Sequence, residues 1–434
     1  MTGNSASLNP PHMPFSRGGA AAHAIKGTPR RIRRPSLVPA WLILIGIILP
    51  AEIQISIGGS KFTAGRIGIM LLLVPALVTL FGGRRRLLPS DLVALALAIW
   101  MVVAAIFAGA SESFTSAVAE AIEFVGGYLV ARTFFVEAMT VEGFVRVLKL
   151  LVLAIVGAAL LDALSGRWLI HDTIASFLGA PLFDATFRGN MIRAKATFDH
   201  PILFGTFCSL AAAILFYAES DPLKRLFWVG VCFVGCFLSQ SSAAMMGFVI
   251  ITATYTYDHM LRQYSWRWTL LWTTIAICTV IIFAVARHPI GWVISHLTLD
   301  PQSGYYRILI WDSAMAQISQ QPIFGAGFSL FNDDILDHTV DSVWLVVALR
   351  FGVPMVVLMI LLTVSVVLPV NRRIARQPSY LSRMSTAFTL VLVVFMFTGI
   401  TVHFWNYMWI FWGVCIGMRA ALREQAMRRI RSGY

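Results

Sequence analysis

Long apolar runs alternate with short polar stretches along almost the whole chain. A transmembrane helix needs about 20 predominantly apolar residues, within a range of roughly 17–25. Twelve segments fit this description, and they begin near Leu37, Thr63, Asp91, Phe114, Phe144, Ala196, Leu226, Ser242, Trp268, Asp341, Met384 and His403. The segment from Phe114 is the weakest because it contains Glu120, Glu123 and two adjacent glycines. The pattern predicts an all-α polytopic membrane protein with about twelve transmembrane helices.

Composition agrees with this pattern and excludes several other classes. Of the 434 residues, 58% are hydrophobic and only 13% are charged, whereas soluble proteins carry about 25% charged residues. The 34 Lys and Arg residues exceed the 21 Asp and Glu residues, which gives a formal net charge of +13. These figures exclude a soluble multidomain protein, a disordered chain and a disulfide-rich secreted domain.

Basic residues concentrate in alternate loops and so predict the orientation. With the amino terminus inside, the inside loops are 1–36, 82–90, 132–149, 219–225, 257–267, 370–383 and 419–434. They hold 25 of the 34 Lys and Arg residues, and each holds at least two, as the positive-inside rule requires. Orientation therefore explains the basic excess without nucleic acid. Both termini are predicted to be cytoplasmic.

Three regions follow from this topology. Residues 1–36 are predicted to be a disordered basic cytoplasmic tail, residues 37–418 the transmembrane domain, and residues 419–434 a second basic cytoplasmic tail. The basic run before residue 35 is best explained as an orientation anchor. All five cysteines fall inside apolar segments, so we expect them to be buried thiols.

Two outward loops, about 165–195 and 288–340, are long enough to hold a functional site. Cations on this side run against the orientation rule, and four of them need a local reason: Arg188, Arg193, Lys195 and Arg307. One reason is an anionic ligand, because guanidinium groups fit phosphate oxygens, as in the diphosphate of a lipid carrier. The alternative is that they bind phospholipid headgroups or pair with Asp184 and Asp199.

The second outward loop also carries a turn and an acidic cluster. A helix is predicted to end before Pro322, and Gly325–Gly327 to form a tight turn. Beyond it come Asn332, Asp333, Asp334, Asp337, His338 and Asp341. Carboxylates and an imidazole can bind a metal or supply a general base; a solvated acidic loop is the alternative. Asp341 is also favoured by the helix dipole at the start of the next helix.

Other polar groups stand out by their predicted depth in the membrane. Ionisable residues within membrane depth are candidates for function; they are Glu52, Glu120, Glu123, Asp162 and Arg350. Six of the nine histidines are placed outward or at that interface, namely His171, His200, His288, His296, His338 and His403. The sequence alone assigns no role to Glu120 and Glu123.

Four elements between Arg193 and Pro354 follow a recognisable order. Arg193-Ala-Lys-Ala-Thr-Phe-Asp-His-Pro201, followed by Gly205, resembles the pattern Arg-x-x-Gly-Thr-Phe-x-(His/Asn)-Pro, and Leu238-Ser-Gln-Ser-Ser-Ala243 resembles Leu-Ser-x-Ser-Arg-(Gly/Ala). Arg307-Ile-Leu-Ile-Trp311 and Pro322-Ile-Phe-Gly-Ala-Gly327 follow a pattern of Arg, Trp and Pro-x-x-Gly-x-Gly. Asp341-Ser342 through Gly352 is similar to (His/Asp)-Asn, nine residues, Gly. In this order the elements resemble those of the O-antigen ligase/polymerase superfamily, although Ser242 replaces its usual basic residue.

This resemblance implies a fold and an activity. It implies a C-type, all-helical glycosyltransferase that takes a glycan from an undecaprenyl-diphosphate carrier at the periplasmic face of the bacterial inner membrane, without a cofactor or a metal. The implied diphosphate-binding residues are Arg193 and Arg307, with Arg188 and Lys195. The implied base is Asp341, or His338 if the loop register slips. Candidates for sugar contacts are Trp311, Tyr306 and His200, with core packing as the alternative for Trp311 and Tyr306.

Within the superfamily, polymerases extend a lipid-linked repeat unit and ligases transfer the glycan to lipid A core or protein. The acid at position 341 and a second loop of only about fifty residues favour a polymerase of O-antigen, capsule or exopolysaccharide. Implied partners are the lipid-linked glycan, inner-membrane lipids, a polysaccharide flippase and a chain-length regulator. A ligase is the alternative within the family. A twelve-helix polysaccharide transporter or assembly partner is the alternative of another class, but the halves show no internal repeat.

Overall fold

Helices dominate the part of the chain that the computed structural model describes. The described residues are 36–50, 52–57, 60–109, 111–179, 184–286, 291–292, 301–329, 331, 333–337, 339–368, 379–405 and 407–431. The predicted amino-terminal tail up to residue 35 lies outside them, as do His288, His296 and His338. The helical class predicted from the sequence is confirmed.

Caps and prolines set the helix boundaries before the first outward loop. The Thr63 hydroxyl accepts a hydrogen bond from the backbone N–H of Arg66 at the start of α2, and Pro89 opens α3, where a missing N–H leaves no helix bond unmade. These helices are α1 (Val38–Ile48), α2 (Ala64–Thr79, continued by a π-helical turn Leu80–Arg84), α3 (Pro89–Phe107), α4 (Ser111–Ala121, continued by a π-helical turn Ile122–Gly126), α5 (Gly127–Phe134) and α6 (Ala138–Ser165).

The same devices set the boundaries of the remaining helices. Asp221 and Ser241 accept backbone N–H groups at the starts of α9 and α10, which confirms the predicted break between these two helices. The helices are α7 (Leu169–Leu178), α8 (Pro201–Ala218), α9 (Pro222–Leu238), α10 (Ser242–Met260), α11 (Arg267–Val285), α12 (Pro301–Gln320), α13 (Val343–Phe351), α14 (Val353–Val367), α15 (Tyr380–Thr398) and α16 (Tyr407–Arg431). As predicted, α12 ends before Pro322.

Two short antiparallel hairpins interrupt the helical pattern. Strands β1 (Gln54–Ile57) and β2 (Ser60–Thr63) pair with Gln54 opposite Thr63. Strands β3 (Phe187–Arg188) and β4 (Met191–Ile192) pair with Phe187 opposite Ile192. The sequence did not predict these hairpins, because strands of two to four residues are too short to show a period-two pattern.

Seven of the described helices are long and apolar enough to cross a membrane, so the protein is a helical membrane protein. They are Ala64–Gly82, Pro89–Phe107, Ser113–Phe134, Ala138–Ser165, Pro201–Ala218, Arg267–Val285 and Tyr380–Thr398. The weak segment from Phe114 is among them. The apolar run after Asp341, predicted as one span, is divided at Gly352 into α13 and α14. The predicted count of twelve spans stays a prediction.

The buried centre of the bundle is α8. Its hydrophobic window is 83% buried, whereas that of α11 has no buried residue. Helices α9, α10 and α15 pack around α8. The location of α11 corrects the expectation for the cysteines: Cys278 is exposed on this helix, while the other four are buried.

The carboxyl-terminal segment differs from a simple basic tail. Helix α16 runs without a break to Arg431, and Arg419 and Glu424 on it are buried. The Glu424 carboxylate lies 2.5 Å from the fully buried Arg132 guanidinium, which also lies 3.4 Å from Asp91. Buried charges persist where they are paired. The helix beyond Arg419 is therefore part of the packed bundle, at least to Glu424.

Candidate functional site

The segment that begins at Arg193 is fixed through its backbone. The Arg193 N–H donates to the carbonyl of Thr186, 2.8 Å away, and the Ala194 N–H donates to the carbonyl of Leu238 at 3.0 Å. The indole N–H of Trp168 donates to the Arg193 carbonyl at 3.0 Å. These bonds hold the first motif against the start of the second motif.

A left-handed residue turns the first motif towards α8. Ala196 is buried and has φ +52°, a conformation that residues other than glycine, asparagine and aspartate rarely adopt. The family pattern has glycine at this position. The buried Asp162 carboxylate accepts the N–H of Ala196 at 3.0 Å and that of Leu169 at 3.1 Å. Asp162, a membrane-depth charge in the sequence, therefore supports the loop that carries Arg193.

The second motif packs directly against the first. A Cβ atom on Gly205 would overlap the Ser239 hydroxyl, so only glycine allows this approach. Gln240, at φ +48°, presents its carbonyl to the Arg188 guanidinium at 2.7 Å. The second motif thus supports Arg188 and the segment of Arg193 through its backbone and its packing. This support does not require the basic residue that Ser242 replaces.

The third and fourth motifs meet at an ion pair. The Nε atom of Arg307 lies 3.6 Å from Oδ2 of Asp341, and Oδ1 of Asp341 accepts a hydrogen bond from the Thr339 hydroxyl at 3.1 Å. The Asp341 side chain is 39% exposed and that of Arg307 is 12% exposed. The carboxylate is thus held in place and still open to a ligand.

The glycine turn of the third motif locks onto the helix of the fourth. The N–H groups of residues 326 and 327 donate to carbonyls near the end of α13, and the Val353 N–H donates to the Pro322 carbonyl at 2.8 Å. Gly352 has φ +78°, and a Cβ there would overlap the Ile323 carbonyl oxygen. The two motifs therefore form one unit, and Gly352 is required by a close backbone contact.

Three of the predicted cations form a cluster. Burial and the like charges of Arg188 and Arg307 lower the pKa of Arg193. The Nε atom of Arg193 is buried and has no hydrogen-bond partner among the described residues. Within the same ranges, no ion pair joins Asp184 to Arg188 or Arg193. A cluster of cations with an unused buried donor favours an anion.

Lys195 occupies a different environment from the three arginines. Its Nζ lies 4.0 Å from the centre of the Trp168 ring, and the residue is 3% exposed. Burial lowers its pKa, and the nearby carboxylates of Glu52, Asp199 and Asp162 oppose that shift. This placement favours a structural role for Lys195 within the loop. Direct binding of the diphosphate by Lys195 stays a prediction.

Glu52 and His171 belong to the same supporting region. Glu52 lies in the turn before β1, outside any helix, and its Oε1 is 2.6 Å from Nδ1 of His171. Burial raises the pKa of Glu52, but the hydrogen bond and charge of His171 outweigh burial and lower it overall. The Glu52–His171 pair therefore belongs to the surroundings of Lys195, whose charge interacts with that of Glu52.

A cavity of about 550 Å³ adjoins the Arg307–Asp341 pair. Asp341 and His200 line it, together with Arg350, His403 and Trp405. Its volume falls in the range of about 300–1,000 Å³ typical of small-molecule sites. The structure thus brings the first, third and fourth motifs to one place.

The two histidines of the cavity are held neutral. Burial and the charges of Arg193 and Lys195 lower the pKa of His200 to about 4. Burial and the charge of Arg350 lower the pKa of His403 to about 3. Neutral imidazoles donate and accept hydrogen bonds without adding charge, so the charged groups of the cavity wall are Asp341 and Arg350.

Tyr306 and Trp311, the predicted aromatic contacts to sugar, differ in their exposure. Tyr306 is 40% exposed, whereas Trp311 is partly buried and packs against the cluster around Ile310. Core packing, the alternative for Trp311, is the better explanation of its position. His338 lies outside the described residues, so the alternative base stays a prediction.

Sequence reasoning missed the loop between α15 and α16. Thr401, His403 and Trp405 of this loop line the cavity, and the Val343 N–H donates to the carbonyls of Gly399 and Val402. His403 was noted only as an outward histidine. The signal that could have identified the loop is a tryptophan and a histidine between two apolar helices on the outward side.

Sequence reasoning also left the membrane-depth charges without partners. Arg350 Nη1 lies 2.6 Å from Glu120 Oε1, and Arg66 Nη2 lies 2.9 Å from Glu123 Oε1. The Arg350 guanidinium also lies 4.5 Å from the centre of the Phe328 ring. These pairs join α4 and its π-helical turn to α13 and α2.

The motif resemblance is the basis for any family assignment. The first element packs against the second and the third against the fourth, and the first and fourth line one cavity. The chain departs from the pattern at Ala196, which keeps a left-handed conformation typical of glycine, and at Ser242. No protein-family model matches the chain, and no curated protein matches it significantly.

Proposed function

We propose that this protein is a polysaccharide polymerase of the bacterial inner membrane. It transfers a glycan from an undecaprenyl-diphosphate carrier to a lipid-linked repeat unit at the periplasmic face. The observation that carries the proposal is the contact between Arg307 and Asp341 at the edge of a cavity, with Arg188 and Arg193 close by. This contact supplies an anion-binding group and a proton acceptor at one point.

The chemistry assigns each group a task. An acceptor hydroxyl oxygen attacks the sugar C1 atom from the face opposite the diphosphate, and the C1–oxygen bond to phosphate breaks. The electron pair of that bond leaves with the diphosphate. Arg193 and Arg307 stabilise the charge that grows on it, as preorganised donors do. The Asp341 carboxylate takes the proton of the hydroxyl.

The burial of the cations supports this assignment. An exposed arginine interacts weakly with an anion because water screens the pair. Arg307 has a side chain that is only 12% exposed, and the buried Nε of Arg193 lacks a partner among the described residues. A partly desolvated cation interacts more strongly with a phosphate oxygen.

A polymerase is favoured over a ligase by the acid at position 341 and by the short second outward loop. We place both termini in the cytoplasm and twelve spans in the inner membrane. The partners proposed are the lipid-linked glycan, the surrounding lipids, a polysaccharide flippase and a chain-length regulator.

The proposal is tested with purified protein and an undecaprenyl-diphosphate-linked repeat unit, taken from a strain that lacks the gene and accumulates this substrate. We expect lipid-linked glycan of two or more units to form with the wild-type protein. Transfer of the unit to another acceptor without lengthening would support the ligase. Folded protein that transfers no glycan would contradict the glycosyltransferase and favour a transporter or an assembly partner.

A further inference from the structure

The cavity and the arginine cluster are neighbours, and Asp341 belongs to both. Asp341 lines the cavity and contacts Arg307, whereas neither Arg193 nor Arg307 lines the cavity. His200 also lines the cavity and is influenced by the charge of Arg193. A ligand in the cavity therefore reaches the same carboxylate that Arg307 contacts.

One wall of the cavity is aromatic. The Trp405 ring lies 5.3 Å from the His403 ring and 5.9 Å from the His200 ring, measured between ring centroids. All three side chains are partly exposed, and all three line the cavity. A flat indole flanked by two imidazoles offers both an apolar face and hydrogen-bonding groups.

The charges of the cavity select against an anionic ligand. Both imidazoles are neutral, and Arg350 is paired with Glu120 at 2.6 Å. Asp341 adds a negative charge that Arg307 balances from outside the cavity. The diphosphate of the donor is thus better placed among the arginines, and the cavity suits an uncharged ligand rich in hydroxyl groups.

The cavity lining combines apolar side chains with polar groups, and the polar groups favour a glycan over a prenyl chain. An alkyl chain would leave Asp341, His200, His403 and the Thr401 hydroxyl facing hydrocarbon, which is unfavourable for groups that cannot then bond to water. A sugar ring satisfies such groups with its hydroxyls and stacks its apolar C–H face on an indole. The cavity volume of about 550 Å³ is larger than one hydroxyl group requires and is large enough for a short oligosaccharide.

We propose that this cavity is the binding site for the acceptor glycan, with Trp405 as its stacking platform and His200 and His403 as hydrogen-bonding groups. This inference rests on the proposed function and extends it, because it gives the acceptor a site separate from that of the donor diphosphate. The acceptor hydroxyl then lies next to Asp341, the residue that Arg307 contacts. Trp405 is a specificity residue, since it contacts the glycan but no reacting atom.

The test measures binding of the free oligosaccharide repeat unit, without lipid or phosphate, to purified full-length protein by saturation-transfer NMR. Glycan-free undecaprenyl diphosphate is titrated in parallel. We expect Trp405→Leu to weaken oligosaccharide binding roughly tenfold, as the loss of an aromatic contact implies, and to leave lipid diphosphate binding unchanged. Arg307→Ala should show the reverse pattern.

Matched variants separate this effect from misfolding. Trp272→Leu removes an exposed indole on α11 that does not line the cavity, and it should change neither titration. His403→Gln keeps a hydrogen-bonding side chain and should weaken oligosaccharide binding less than Trp405→Leu does. Unchanged oligosaccharide binding in Trp405→Leu overturns the proposal. So does a loss of lipid diphosphate binding in that variant, or a wild-type protein that binds no oligosaccharide at millimolar concentration.

The outcomes also distinguish this inference from the proposed function. A protein that binds the oligosaccharide through Trp405 but transfers no glycan keeps the glycan site and loses the polymerase. A protein that lengthens the glycan, with the same KM for the acceptor in Trp405→Leu as in the wild type, keeps the polymerase and loses the glycan site.

Discussion

Arg307 Nε and Asp341 Oδ2 lie 3.6 Å apart, although 34 residues separate them in the sequence and they belong to different motifs. Arg307 lies on α12, and Asp341 stands just before α13. The glycine turn that follows α12 bonds to the end of α13 and so fixes this distance. The geometry of the candidate site therefore depends on a backbone junction as well as on the charges.

Removing the Arg307 guanidinium should lower the rate of glycan transfer strongly and leave the protein folded. We expect Arg307→Ala to lower the transfer rate by a factor on the order of 10²–10³, the usual effect of losing one preorganised donor. Arg307→Lys should recover only part of the rate, because a lysine lacks the planar fork. The control is Arg262→Ala, an exposed arginine between α10 and α11; an equal loss in that variant would mean that the effect is general.

A side chain at Gly352 should break the junction of the third and fourth motifs. The backbone at φ +78° and ψ 171° is essentially restricted to glycine. We expect Gly352→Ala to lower the free energy of unfolding by about 2–5 kcal/mol, from the conformation and from overlap with the Ile323 carbonyl. Gly230→Ala is the matched control, since no atom lies within 4 Å of a Cβ there. Equal stability of the two variants in detergent would contradict the close contact.

Asp162 should stabilise the loop that carries the first motif. Asp162→Ala leaves the N–H groups of Ala196 and Leu169 without an acceptor, so we expect a loss of about 2–5 kcal/mol in unfolding free energy. Asp162→Asn retains one acceptor oxygen and should lose less. Asp184→Ala, which removes an exposed acid from the same outward loop, should leave stability unchanged. Wild-type stability of Asp162→Ala would show that these bonds are dispensable.

The two cavity histidines predict an acid-labile fold. Their pKa values are lowered in the folded protein, to about 4 for His200 and about 3 for His403, so the unfolded chain binds protons first as the pH falls below about 6.5. Stability is therefore full above that value and is lost on acidification. Between pH 7 and pH 5 we expect a loss of about 2 kcal/mol per imidazole.

The contribution of one imidazole can be isolated by comparing the pH dependence of variants. Denaturant titrations of His403→Gln in detergent should show a slope with pH that is smaller than that of the wild type by about one imidazole's share. His259→Gln, an exposed histidine at the end of α10, is the control and should leave the slope unchanged. The same slope in His403→Gln as in the wild type would contradict the buried neutral state of His403.

The sequence predicted those parts of the structure that depend on local pattern. The breaks at Pro322 and near Ser241, the glycine turn and the membrane character follow from prolines, caps and apolar runs. The order of the four motifs predicted that Arg193, Arg307 and Asp341 share a site, and the structure brings their segments together. It did not predict that Lys195, only two residues from Arg193, turns to the carboxylates of another region.

The rest depends on contacts between distant segments, for which one sequence carries no signal. Glu120 and Arg350 are 230 residues apart, and nothing in either neighbourhood selects the partner. The role of Trp405 in the cavity emerges only when its loop is held by hydrogen bonds to the start of α13. Ala196 occupies a conformation typical of glycine, which its side chain gives no reason to expect.

The most direct test of the central assignment separates diphosphate binding from proton transfer in the same protein preparations. Undecaprenyl diphosphate binding and glycan lengthening are measured for the wild type, Arg307→Ala, Asp341→Asn and His338→Gln. We predict that Arg307→Ala weakens diphosphate binding by roughly tenfold or more, while Asp341→Asn binds the diphosphate at least as well as the wild type but no longer lengthens the glycan. If Asp341→Asn lengthens glycan at the wild-type rate and His338→Gln does not, His338 is the base. If all three variants bind and transfer as the wild type does, the Arg307–Asp341 pair is not the catalytic site.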